Sequence, residues 1–178
     1  YLIGYLCGFG LKEIVLSTGY LAEQFKTYVT HIKNDIKLTC IVEPEPMGTG
    51  GALLNIATHL DKTFYVLNGD SLFDFDLKEL DRLANTHSTS SSVLALRYVD
   101  NSSRYGSVIT NESSISSFEE KKPNSGPGWI NGGVYLLTNS ALDFLTVMPA
   151  SLETDLFPVL ARNGLLLGSK QSGFFVDI

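Results

Sequence analysis

Two aspartates far apart in the chain each close an apolar run: Asp70 in Phe64-Tyr65-Val66-Leu67-Asn68-Gly69-Asp70 and Asp177 in Gly173-Phe174-Phe175-Val176-Asp177-Ile178. Bulky and β-branched residues ending in a carboxylate put that acid at the carboxyl edge of a buried strand, where open α/β sheets bind ligands. Two such acids could share one hard cation. Oxygen ligands with few other protein donors suit Mg2+, which keeps waters and completes its shell with substrate phosphates. Singly, each Asp reads better as the cap of a turn after a strand, so the pair gains meaning only with the segments that accompany it.

A second feature is the loop Glu43-Pro44-Glu45-Pro46-Met47-Gly48-Thr49-Gly50-Gly51-Ala52, set between a strand and a helix. Its glycines let the backbone approach a ligand closely, and amides at a helix N-terminus favour anions. It is not the G-x-x-x-x-G-K-[ST] phosphate loop, because no Lys follows the glycines. His31, His59 and His87 fall at helix ends without the Cys or Asp spacing of a zinc site. There is no Gly-x-Ser-x-Gly elbow, nor a G-x-G-x-x-G turn with a following acid, so serine hydrolases and dinucleotide-dependent dehydrogenases have little support.

Positioning these residues requires a sheet. Residues 1 to about 8 read as the end of a helix, Ile14 to Leu16 as a buried strand, and Leu21, Phe25, Tyr28, Val29 and Ile32 as the apolar stripe of a helix packed on that sheet. Lys37 to Val42 reads as strand, Ala52 to Leu60 as helix and Thr63 to Leu67 as strand. Asp76 with Glu79 forms a capping box for a helix carrying Leu77, Leu80, Leu83 and Ala84. This alternation predicts βαβ crossovers and a mostly parallel sheet. From Ser88 onward short strands at Val93 to Leu96, Gly106 to Thr110, Ile115 to Phe118 and Val134 to Leu137 are interrupted by helices near Ala141 to Val147 and Glu153 to Ala161. An inserted strand-rich lobe on the ligand edge of the sheet is expected.

Composition bounds the function classes. With 178 residues and 44% hydrophobic content, the chain can bury one sizeable core. Its net charge of −6 argues against a nucleic-acid or anionic membrane partner, which would need clustered Lys and Arg. Cys7 and Cys40 lie in apolar runs and read as buried free thiols, pointing to a reducing, cytoplasmic setting. No apolar stretch approaches a membrane span, and the N-terminus lacks the pattern of a signal peptide. Tyr1 to Leu6 reads as the middle of a helix, and the chain stops just after Asp177, so a fragment of a longer domain is expected.

Read in order with Asn68-Gly69-Asp70, Tyr105-Gly106, Phe118-Glu119-Glu120-Lys121, Asn131-Gly132-Gly133-Val134-Tyr135, Ser151-Leu152-Glu153-Thr154-Asp155 and Val176-Asp177, the glycine-rich loop resembles the sugar-1-phosphate nucleotidylyltransferases over nearly the whole chain. Guanylyltransferases acting on heptose 1-phosphate or mannose 1-phosphate are the most similar. Uridylyltransferases for N-acetylmuramate 1-phosphate or glucose 1-phosphate are close rivals, and a non-catalytic nucleotide-sugar-sensing relative is a further alternative. The resemblance implies a Rossmann-like three-layer α/β/α fold, with a mixed-parallel central sheet and a small strand-rich sugar-binding lobe. It implies one domain, with residues 1–87 as the nucleotide-binding half and 88–178 as the sugar-binding half. NTP and sugar 1-phosphate would be the partners, and dimers or larger homo-oligomers are frequent in the family. The family's glycine-rich triphosphate loop would lie upstream of Tyr1.

By the same resemblance, Asp70 and Asp177 are the Mg2+ ligands, and Asn68, Gly69, Gly48, Thr49 and Gly50 belong to the nucleotide site. Glu43 stands where relatives read the base edge. A carboxylate accepts hydrogen bonds and guanine offers adjacent donors, which favours GTP; the alternative is a solvated residue before a proline turn. Thr49 and Gly50 serve equally well as the simple start of a helix. Glu120 and Lys121 match a Glu-Lys segment that binds sugar hydroxyls and phosphate, Lys121 being the catalytic cation, although a run of four charges also suits a solvated edge. Gly106, Asn131 and Gly133 would line the sugar pocket, unless the glycines mark strand bulges. Glu153 matches an acid near that pocket, and would also suit the first turn of a helix.

Overall fold

The computed structural model describes residues 2–31, 36–87, 91–105, 107–119 and 126–177, with the backbone alone at 30, 31, 119 and 177. Its elements in order are α1 (Leu2–Cys7), β1 (Glu13–Thr18), α2 (Ala22–His31), β2 (Lys37–Val42), α3 (Gly48–Asn55), β3 (Thr63–Leu67), β4 (Ser71–Phe73), α4 (Leu77–Thr86), β5 (Ser92–Val99), β6 (Ser107–Asn111), β7 (Ser114–Glu119), β8 (Gly128–Thr138), α5 (Phe157–Arg162), β9 (Leu166–Gln171) and β10 (Phe175–Asp177). A 3-10 turn follows α3, another follows β8, and a π-helical turn over Leu152–Leu156 leads into α5.

The main sheet has six strands in the order β3-β8-β5-β9-β7-β6. Along its strands, side chains alternate between two apolar layers, as a pleat with a period of two dictates. Phe64, Val66, Leu94, Leu96, Tyr135 and Leu137 face α3, the π turn and α5. Tyr65, Leu67, Val93, Ala95, Val134 and Leu136 face α1 and α4. This is the expected three-layer α/β/α arrangement. Leu80, Leu94, Leu96, Leu137 and Leu160 are at most 1% exposed, and each fully buried side chain of this size contributes roughly 1.5–3 kcal/mol.

Strand direction departs from a simple βαβ series. β1 pairs with β2 and β5 with β9 in parallel, but β8 runs antiparallel to both β3 and β5. β3, β5 and β9 therefore share one direction, and β8 returns between two of them from the strand-rich β6–β7 side. β9, which no periodicity had announced, closes the parallel set. The capping box is only half formed: Asp76 caps α4 by accepting from the Lys78 amide, while its own amide donates to Gln171 Oε1 at 2.7 Å. Glu79 instead holds Arg82 through bonds of 2.8 and 2.6 Å.

Helix α2 also differs from expectation. Among its described side chains Ala22 is buried, whereas Phe25 is 50% and Tyr28 59% exposed, and Ile32 lies outside the described residues. The two-stranded β1–β2 ribbon offers too little surface to cover the helix's apolar stripe.

Candidate active site

The main polar cluster gathers where β3 ends against a bend in β8. Between Leu94 and Leu96 of β5, the β8 partner moves from Tyr135 to Asn131, so the Gly132–Gly133 segment bulges out of the ladder. Both glycines are required there. A Cβ on Gly132 would stand 2.5 Å from the Phe73 ring, and Gly133 adopts φ +74, a conformation that side chains resist. Such bulges re-aim neighbouring side chains. Asn131 Oδ1 accepts the Gly133 amide at 3.0 Å, which turns its Nδ2 onto the Tyr135 hydroxyl at 2.9 Å. The Asn68 amide donates to the Gly133 carbonyl at 2.9 Å, which sets the Asn68 side chain beside the same tyrosine.

Tyr135 was not singled out by the sequence. It is fully buried in the apolar end of β8, its ring 4.9 Å from that of Phe157. A buried phenol must find polar partners, and that requirement was the one available signal. Burial pushes its hydroxyl well above the ordinary tyrosine range; the charge on Glu153 adds to this, the two asparagine amides pull it back, and the charge on Asp70 raises it further.

Asp70 is exposed in the turn after β3, beside Gly69, and Ser71 Oγ donates to its Oδ1 at 3.4 Å. Asp177 comes next to it through the backbone: β10 pairs antiparallel with β4, and Asp177 stands opposite Ser71. The ribbon is anchored by Phe73, 1% exposed, whose ring lies 5.6 Å from that of Phe175. The two distant acids thus occupy neighbouring backbone positions at one edge. Among the described residues no three His, Cys, Asp or Glu side chains assemble. An oxygen-only set of one or two carboxylates suits a hard divalent cation that takes further ligands from water and phosphate; the exposed Asp70 turn, with the Asp177 backbone beside it, is the edge that would hold such an ion.

The glycine-rich loop is used differently from expectation. Gly50 and Gly51 both donate to the Ala150 carbonyl, at 2.8 and 3.2 Å, and Ala150 in turn donates to the Met47 carbonyl at 2.9 Å. Gly48 adopts φ +74, and a Cβ there would collide with the Ala150 backbone. The expectation of a ligand at the Gly50 amide is corrected: the glycines admit the neighbouring 148–150 segment, and the Gly50 and Gly51 amides are spent on it. Glu43, half-buried at the end of β2, accepts from Ser17 Oγ at 2.9 Å and more weakly from the Met47 amide at 3.4 Å. That leaves acceptor capacity on its carboxylate.

Thr49 does not stand alone at the helix start. Its hydroxyl donates to Glu153 Oε2 at 2.9 Å and accepts the Leu152 amide at 2.9 Å. Ser151 caps the π turn by accepting the amides of Glu153 and Thr154, and Asp155 accepts the Ser151 amide at 2.7 Å. The structure therefore joins Thr49 to Glu153, Asn131 to Tyr135, and Gly133 to both Asn131 and Asn68, with Asp70 in the turn after β3. Gly106, Glu120 and Lys121 lie outside the described residues.

The family model for nucleotidyl transferases matches residues 1–167. A probable mannose-1-phosphate guanylyltransferase 2 of Arabidopsis thaliana is 34% identical over 181 residues, covering 95% of this chain and 49% of the relative. The catalytic subunit beta of mannose-1-phosphate guanylyltransferase from Drosophila pseudoobscura pseudoobscura is 31% identical over 95% of this chain and 47% of its own length. The chain thus spans about half the length of the curated relatives it matches. Among solved structures, HddC from Yersinia pseudotuberculosis superposes with TM-score 0.84 at 29% identity, covering 99% of this chain and 77% of that one. The same protein complexed with GMP-PN gives 0.83. A polar cluster at the carboxyl edge of a three-layer α/β/α sheet, a family match over residues 1–167 and relatives above 30% identity lead to one conclusion: this chain belongs to the nucleotidyl transferase family.

Proposed function

We propose that the protein containing this chain transfers a guanylyl group from GTP to a sugar 1-phosphate, heptose 1-phosphate by preference and mannose 1-phosphate next, releasing pyrophosphate. The observation that carries this reading is the β4–β10 ladder, which brings Asp177 opposite Ser71 and so beside Asp70. Bound between these acids, Mg2+ would polarise the α-phosphate and offset the repulsion of two anionic substrates. The chain's own residues supply position. Glu43 accepts from the guanine edge near Gly48, and Asn68 and Gly69 border the nucleotide where β3 ends. Asn131, Gly133 and Glu153 meet the sugar hydroxyls, together with Gly106, Glu120 and the cation of Lys121. Residues 1–87 would form the nucleotide side and 88–178 the sugar side. In-line transfer between phosphates relies on this alignment more than on proton chemistry.

The curated guanylyltransferase relatives and the GMP-PN complex of HddC support the choice of base. Cytoplasmic synthesis of a nucleotide sugar for lipopolysaccharide or capsule, by a homo-oligomer, is the setting we infer. Free Cys7 and Cys40 suit a reducing compartment, and among the described residues no helix is long and apolar enough to cross a membrane.

The test is pyrophosphate release by the full-length protein with Mg2+, offering GTP, UTP, CTP and dTTP against mannose, heptose, glucose and N-acetylmuramate 1-phosphates. Release with GTP and heptose or mannose 1-phosphate is expected. No release with any pair overturns the transferase, and a preference for UTP overturns the role of Glu43.

A further inference from the structure

Two hydroxyls converge on one oxygen of Glu153. Thr49 Oγ1 and Ser151 Oγ each stand 2.9 Å from Oε2, and each spends its single hydrogen there. Their acceptor sides are occupied too, Thr49 by the Leu152 amide and Ser151 by the amides of Glu153 and Thr154. Neither hydroxyl can turn away without stranding a backbone N–H. Among the described residues no donor reaches the other oxygen, Oε1. Half of the carboxylate is clamped, and half is open.

The clamp is tertiary, because Thr49 lies 104 residues before Glu153. It is reinforced by the Met47, Gly50 and Gly51 bonds to Ala150, which zip the start of α3 to the segment leading into the π turn. The loop that carries Glu43 and the turn that carries Glu153 are thereby one rigid unit.

We propose that Thr49 is a positioning residue for the sugar side of the site: its hydroxyl, together with that of Ser151, pins Oε2 of Glu153 so that Oε1 stays aimed and open as the acceptor for a hydroxyl of the sugar 1-phosphate. This rests on the reading that the protein binds a sugar 1-phosphate, and it moves Thr49 from contact with the nucleotide to control of sugar affinity. A carboxylate held by two donors has lost its freedom to rotate before the substrate arrives, which lowers the ordering cost of binding.

The test uses the full-length protein and three single variants. Thr49→Val keeps the shape and removes the hydroxyl; the KM for sugar 1-phosphate should rise about tenfold, as expected for losing one charge-assisted bond, while the KM for GTP and kcat stay within about twofold. Thr49→Ser should restore the wild-type KM. Glu153→Gln should raise the same KM, and adding Thr49→Val to it should change little, because the two act as a unit. A rise in the GTP KM instead, a failure of Thr49→Ser to rescue, or fully additive losses would overturn the proposal. Should Thr49→Val fail to fold, the rescue is replaced by Glu153→Gln, whose sugar affinity must fall with GTP affinity intact. Calorimetric titration of sugar 1-phosphate separates the two claims. Wild type that binds the sugar phosphate but does not turn over sinks the transferase reading alone, and the affinity ratio of wild type to Thr49→Val then decides the positioning role. Wild type that binds no sugar phosphate sinks both.

Discussion

Two glycine pairs, Gly50–Gly51 at the start of α3 and Gly132–Gly133 in β8, do opposite work. At α3 the missing side chains admit another segment, and the freed amides donate to Ala150. In β8 they let the strand itself bend, and the bend turns Asn131 onto Tyr135 and offers the Gly133 carbonyl to the Asn68 amide. Gly50–Gly51 stands where a loop could meet a ligand and serves packing. Gly132–Gly133 has the form of a strand irregularity and shapes the site. A glycine's role is set by what occupies the space it leaves.

The sharpest way to break this comparison is at the chemical end of the bulge. Asp70→Asn in the full-length protein should lower pyrophosphate release by more than the roughly 10–100-fold typical of outer-shell residues around a metal. Thermal stability should hardly change, because Asp70 is exposed. Activity near wild type would remove the bulge from the chemistry.

Alanine at each glycine pair then separates packing from aiming. Gly133→Ala meets φ +74 and sets a Cβ 3.2 Å from Asn68 Nδ2; strain of about 1–3 kcal/mol is expected, with a rise in KM for sugar 1-phosphate on top. Gly50→Ala sets a Cβ 3.1 Å from Leu145 Cδ2 and 3.2 Å from Ala150 Cβ. It should cost about 1–3 kcal/mol of stability, with a rise in the sugar 1-phosphate KM smaller than that of Gly133→Ala. Denaturant melts beside steady-state kinetics check both, and a KM change confined to Gly50→Ala would reverse the assignment.

The smallest effect is at alkaline pH. Tyr135 and Tyr65 both have hydroxyls raised in the folded state, chiefly by burial. A raised folded value means their contribution is complete below the unfolded value of about 10 and declines as pH rises beyond it, by up to about 1.4 kcal/mol per pH unit for the fully buried Tyr135 and by less for the half-buried, solvent-screened Tyr65. Stability should therefore fall above about pH 10, and Tyr135→Phe should flatten that fall. An unaltered slope in the variant would show that Tyr135 titrates freely.

Much of the fold was legible because period and punctuation survive in a single chain. Phe64 to Leu67 reads as a strand from its bulky run, and Asp76 with the Leu77, Leu80 and Leu83 spacing announces α4, whose three leucines are buried. β9 was not legible. Leu165 to Gly168 directly follows a helix, and a short apolar run there has no period of its own. The glycine bulge was named as an alternative at Gly133, but its consequence for Asn131 and Tyr135 depends on β5 lying alongside.

The sequence by itself determined the candidate acids, the alternation of elements and the apolar layers, since these follow from residue type and spacing along one strand or helix. Tertiary structure decided which groups meet: Asp177 with the Asp70 turn across β4–β10, Thr49 with Glu153, and Asn68 with the Gly133 bulge. It also decided that the Gly50 amide serves Ala150 rather than a ligand. The physical reason is range. Propensity and periodicity act over a few neighbouring residues, whereas hydrogen-bond partners about 100 residues apart are chosen by the packing of whole layers, which no local pattern encodes.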